Sequence, residues 1–77
     1  MYSRLKDLRE DLDLSQKEMG IILNMSQPGY SKYETGENDI PTSILIELAD
    51  YHHTSVDYLL NLTDVKQPYP RAKKIVY

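Results

Sequence analysis

The stretch SQKEMGIILNMSQPGYSKYETG, residues 15–36, decides how this chain is read, because it opens two short helices with the same pair, Ser-Gln, eleven positions apart. In the first, Ser15 stands as the cap and Glu18 follows three residues later, the spacing of a reciprocal capping box. Met19, Ile22 and Leu23 then recur as an inward apolar face. Asn24 suits the left-handed position that ends a helix, and Met25 lies inside the turn. In the second, Ser26 is the cap, with Gln27 and Pro28 in the first turn, where proline's missing N–H costs nothing. Tyr30 and Tyr33 face inward, and Gly36 ends the helix.

The flanks add three more helices. Ser3 can cap a first one whose Leu5, Leu8 and Leu12 share a face, with Leu14 continuing the apolar set past a break at Asp13. After the loop Gly36-Glu37-Asn38-Asp39, Pro41-Thr42 opens a fourth, in which Leu45, Leu48, Ala49 and His52 share a face, with a stop near His53. Ser55 caps a fifth, with Asp57 placed favourably for the helix dipole and Val56, Leu59 and Leu60 apolar. The expected fold is all-α, a compact five-helix domain over residues 1–64. A basic tail follows over residues 65–77, extended or strand-like because two prolines break the helical pattern.

Seventy-seven residues suffice for one domain with a small core, and the absence of cysteine excludes disulfides and thiolate metal sites. No stretch approaches the length of a membrane span and no signal peptide opens the chain, so a cytoplasmic protein without a membrane association is expected. The net charge of −3 divides unevenly: −1 over residues 1–35, −6 over 36–65, where Lys and Arg are absent, and +4 over 66–77. An anionic partner would therefore meet the first half or the tail and be repelled by the middle.

Two helices joined by a tight turn, the second opening with polar side chains, form a unit that places its second helix in the DNA major groove. From about Leu5 to Leu60 the chain resembles the Xre/Cro/lambda-repressor family of helix-turn-helix proteins. The residues that carry the resemblance are Arg9, Ser15-Gln16, Gly20, Ser26-Gln27, Ser31-Lys32-Tyr33-Glu34-Thr35-Gly36, Pro41, Leu48-Ala49 and Ser55-Val56-Asp57-Tyr58-Leu59-Leu60. The chain departs from the family at Asp13 and Asn24, where glycine is frequent, and at His52 and Thr54, in places usually apolar. The last two imply a less stable joint between the fourth and fifth helices.

The resemblance implies double-stranded DNA as the partner and a lambda-repressor-like domain acting as a transcriptional regulator, most simply a repressor of bacterial or phage type on an inverted-repeat operator. Gln27 is expected to pair bidentately with adenine, braced by Gln16, which also approaches a phosphate. Lys32 is expected to reach guanine or a phosphate, with Ser31 adding a smaller contact. Pro28 can touch a thymine methyl and Gly29 leaves room for close approach. Ser26, Lys17 and Asn38 complete the expected DNA-binding set. Arg9 and Glu34 are expected to form a structural ion pair that also turns Arg9 toward the DNA backbone.

No cofactor and no metal are expected. His52 and His53 point about 100° apart on a helix and have no third ligand at suitable spacing. No catalytic constellation is present, so an enzyme is not expected. Binding by one such small unit implies a homodimer, with Ile44, Ile46, Tyr51, Tyr58, Ile75 and Val76 as interface candidates. The tail, ending KKIVY, would pair with its twin as a strand or lay its positive charge on the partner's acidic middle. The alternative is a protein-interaction module, like an antitoxin, whose acidic segment covers a basic, toxin-like protein.

Overall fold

The structure, a computed structural model, describes residues 3–70, the side chain of Ser3 excepted. Five helices follow in order: α1 Ser3–Asp11, α2 Gln16–Ile22, α3 Gln27–Thr35, α4 Thr42–Tyr51 and α5 Val56–Leu59. Among the described residues there is no strand, and no helix is long and apolar enough to cross a membrane. The interface candidates Ile75 and Val76, and the proposed strand around them, lie outside the described residues, as does a capping role for the Ser3 side chain.

Four of the five helices end in one way, and the side chains at the ends explain it. Asp13, Asn24, His53 and Asn61 adopt left-handed backbone, with φ of 56°, 58°, 52° and 63°. In each case two backbone N–H groups turn back to satisfy carbonyls of the last turn. After α2, for example, Asn24 N donates to Ile21 O at 3.0 Å and Met25 N to Gly20 O at 2.8 Å. This is the Schellman closure, normally built on glycine, here built on residues whose short or polar side chains tolerate the left-handed well. α3 alone ends on glycine, Gly36, at φ 80°.

The core draws Leu5 and Leu8 from α1, Met19 and Leu23 from α2, Tyr30 and Tyr33 from α3, Leu48 and Ala49 from α4, and Leu59 from α5. Two residues assigned to it from periodicity lie outside. Ile22 is 40% exposed because the buried arc of α2 runs over Met19, Leu23 and Gly20, and a residue three past Met19 falls on the far side of that arc at about 100° per residue. Leu12 is 49% exposed, since α1 has already closed at Asp11, and Leu14, beyond the turn, packs in its place. Ile40, in the loop before α4, is buried although no periodic signal marks it.

His52 and Thr54 are both buried at the α4–α5 joint. The Thr54 hydroxyl donates to the Lys66 carbonyl, so its burial is satisfied, whereas His52 Nε2 meets no hydrogen-bond partner among the described residues. The segment after α5 is fastened at further points. The Arg4 guanidinium lies 4.0 Å over the Tyr58 ring, donates to the carbonyls of Tyr58 and Thr63, and pairs with Asp64 at 2.7 Å. The Tyr69 hydroxyl donates to Asp57 Oδ2 at 2.9 Å.

Candidate nucleic-acid interface

The two Ser-Gln pairs sit at two capped helix starts. Ser15 Oγ accepts from Glu18 N at 3.0 Å while Glu18 Oε1 accepts from Ser15 N at 2.9 Å, and these bonds to Ser15 hold the Glu18 carboxyl below the usual carboxylate range. Ser26 Oγ accepts from Gly29 N at 3.1 Å. Ser26 is therefore spent on the first turn of α3, which it fixes.

The turn between α2 and α3 is held by a close approach. A Cβ on Gly20 would lie 2.9 Å from Met25 O and 3.3 Å from Ser26 O, so only glycine lets the middle of α2 rest against the start of α3. Gly29 has a similar task. Its absent Cβ would meet Ser26 Oγ at 3.1 Å and Met25 Cε at 3.3 Å, so the space it leaves is filled from within the turn. Gly29, expected to leave room for close approach to a base, packs against these two side chains of the turn.

The outward face of α3 presents Gln27, Pro28 and Lys32, all exposed, with Ser31 half-buried beside them. Lys17 of α2 and Asn38 of the following loop are exposed too. Asn38 is folded back onto α3, its N–H donating to Lys32 O at 3.1 Å. Lys32 Nζ lies 3.9 Å from Glu37 Oε2, and both side chains are more than half exposed. That contact is weak and leaves the ammonium available.

Behind this face lies a buried polar cluster. Arg9 Nε donates to Glu34 Oε2 at 2.6 Å, Nη2 to Glu34 Oε1 at 3.2 Å, and Nη1 to Leu14 O at 2.8 Å. The side chains are 10% and 5% exposed. Every guanidinium nitrogen is engaged, so Arg9, expected also to turn toward a DNA backbone, faces inward and holds α1 to α3. Burial pushes the Glu34 carboxyl up, but the hydrogen bonds from Arg9 and Gln16 outweigh it and its pKa lies below the usual value. The Arg9 pKa is raised, chiefly by its bond to Glu34. The Tyr30 hydroxyl is buried near this carboxylate, and burial drives the phenol's pKa upward.

Gln16 belongs to the same cluster. Its Nε2 donates to Glu34 Oε1 at 3.1 Å, so it is oriented by Glu34 and not against Gln27 as the sequence suggested. One of its two amide hydrogens is used, and the second stays available at the half-buried edge of α2. Sequence spacing offered no signal for this bond, which joins residues 18 positions apart.

The interface candidates separate on burial. Ile46 and Tyr51 are 50% and 39% exposed, whereas Ile44 and Tyr58 are partly buried against the core, Tyr58 beneath Arg4. His52 packs edge-on to the Tyr51 ring at 5.5 Å. Among the described residues, no group of three or more His, Cys, Asp or Glu side chains is placed to hold a metal ion.

Comparison with known proteins agrees with this geometry. Residues 5–59 match the family model described as Helix-turn-helix. The chain is 34% identical over 64 residues to the HTH-type transcriptional regulator ImmR of Bacillus subtilis (strain 168), covering 83% of this chain and 50% of that one. It is 32% identical over 76 residues to the uncharacterized HTH-type transcriptional regulator YobD of the same organism, covering 97% and 68%. The SPbeta prophage-derived uncharacterized HTH-type transcriptional regulator YonR, also from that organism, is 35% identical over 60 residues, covering 78% and 56%. The chain spans between half and about two thirds of the length of these relatives. No solved structure matches it.

Proposed function

This chain belongs to the helix-turn-helix family, and on that premise we propose that it binds double-stranded DNA sequence-specifically and acts in the cytoplasm as a transcriptional regulator of bacterial or phage type. The single observation that carries the reading is the pairing of two capped helices across the Gly20 contact, with Gln27, Pro28 and Lys32 presented outward on the second.

Gln27, in the first turn of α3, reads adenine through N6 and N7, and Lys32 reaches guanine or an adjacent phosphate. Pro28 contacts a thymine methyl, and Ser31 adds a smaller bond. Lys17, Asn38 and the second amide hydrogen of Gln16 go to the phosphates and set the register. Arg9 contributes from behind, by fixing Glu34 and through it Gln16. Net acidity and few exposed cations on this face make nonspecific attraction weak, so specificity rests on neutral hydrogen-bonding groups.

One such unit buries too little surface for tight specific binding, so the protein acts as a homodimer on an inverted repeat whose half-sites lie about 34 Å apart. Ile46 and Tyr51, both exposed on α4, are the apolar residues that support a contact between copies. Occupancy of such an operator blocks promoter access, which makes the regulator a repressor.

The test is selection of sites from a random duplex pool with the wild-type chain and with Gln27→Ala/Lys32→Ala, at two salt concentrations. A palindrome enriched by wild type and lost by the variant supports the reading. Enrichment by neither overturns it and directs the search to a basic, toxin-like protein for the acidic segment over residues 36–65.

A further inference from the structure

Lys32 is the one cation of α3, and the sequence carries no Lys or Arg again until Lys66. Its surroundings are built by the loop that follows the helix. Gly36, at φ 80°, turns the chain back, and two bonds fix the segment behind it: the Glu37 N–H donates to Thr35 Oγ1 at 3.4 Å, and the Asn38 N–H to Lys32 O at 3.1 Å. Thr35 Oγ1 in turn donates to Lys32 O at 3.3 Å. Glu37 is thereby held beside Lys32, with Oε2 3.9 Å from Nζ and both side chains more than half exposed. We propose that Glu37 is a specificity-determining residue, whose carboxylate directs Lys32 to guanine and away from phosphate.

This rests on the DNA-binding reading and deepens it. An ammonium carries three N–H donors, and a carboxylate at 3.9 Å ties up none of them in a close hydrogen bond. Guanine O6 and N7 are uncharged acceptors, so Lys32 can bond to them with Glu37 still alongside. A phosphate is different, because drawn to the same Nζ it comes within a few ångströms of a second negative charge and is repelled. Every duplex offers phosphates, whereas guanine stands at that place only in particular sequences. The carboxylate therefore weakens nonspecific contact and spares the specific one. The weakness of an exposed pair suits this task, since it sets a preference without locking the ammonium.

The full chain is compared as wild type, Glu37→Gln, Lys32→Ala and the double variant, on the duplex that wild type enriches in site selection and on a duplex of scrambled sequence. We expect Glu37→Gln to bind the scrambled duplex roughly 2- to 5-fold more tightly. The slope of log affinity against log salt should steepen by about 0.9, one further phosphate being neutralised. Affinity for the enriched duplex should rise less, so that discrimination falls. In the Lys32→Ala background, Glu37→Gln should leave the slope unchanged. An equal effect of Glu37→Gln with and without Lys32 would mean general repulsion of DNA by an acid, and overturns the proposal. Affinity and slope untouched by Glu37→Gln overturn it too, while the DNA reading stands on wild-type binding. If wild type enriches no duplex, the DNA reading itself falls and the proposal with it.

Discussion

Arg9 Nε donates to Glu34 Oε2 at 2.6 Å across 25 positions of sequence, and both residues are 8% exposed. A buried pair of this kind is worth little against an apolar replacement of both members, yet removing one strands the other's charge. Glu34→Ala is therefore expected to destabilise the fold by about 3 kcal/mol, and Arg9→Met/Glu34→Leu to recover most of that loss. Urea denaturation of the three chains decides it. A double variant no better than Glu34→Ala would show that the polar cluster itself holds α1 to α3.

Gly20 is the second dependence. A methyl group placed 2.9 Å from the Met25 carbonyl meets backbone, which cannot rotate away as a side chain can. Gly20→Ala should cost about 1–3 kcal/mol, as overpacking does. A thermal melt of this variant at or above the wild-type Tm would contradict that account of the turn.

The helix closures divide substitutions by backbone and not by contact. Asn24 is exposed, at φ 58°, so side-chain burial hardly enters. Asn24→Val should lose about 1–2 kcal/mol through the left-handed penalty on a branched side chain, whereas Asn24→Gly should stay near wild type or slightly above. Equal stability of the two variants by chemical denaturation would count against the Schellman reading.

Acid should weaken the fold in two stages. Burial, with Lys66 nearby, holds His52 below its ordinary pKa of 6.5. The unfolded chain thus binds the extra proton first, and stability is full above about 6.5 and falls as pH drops toward the folded value. The Glu34 carboxyl, lowered from 4.5, gives stability that is present above that value and lost as pH falls through its folded pKa. Melting temperatures followed from pH 8 to pH 3 should show both arms, and His52→Leu should flatten the upper one alone. An upper arm that survives His52→Leu would assign it to another group.

The helices and their caps were legible along the chain, because capping boxes, turn residues and apolar spacing act over three to five positions. Ser15 with Glu18, the Ser26 cap, and Asn24 were legible for that reason, as was the outward placement of Gln27 and Lys32. Spacing alone misplaced Ile22 and Leu12, since it fixes which residues share a face and not where a neighbouring helix bounds that face. Packing between elements set the rest: that Arg9 engages all its nitrogens internally, that Gln16 is oriented by Glu34, that Arg4 covers Tyr58, and that Ile40 is buried. Each of these depends on groups brought together from different helices or from a loop, and chain spacing carries no record of a distance that packing sets.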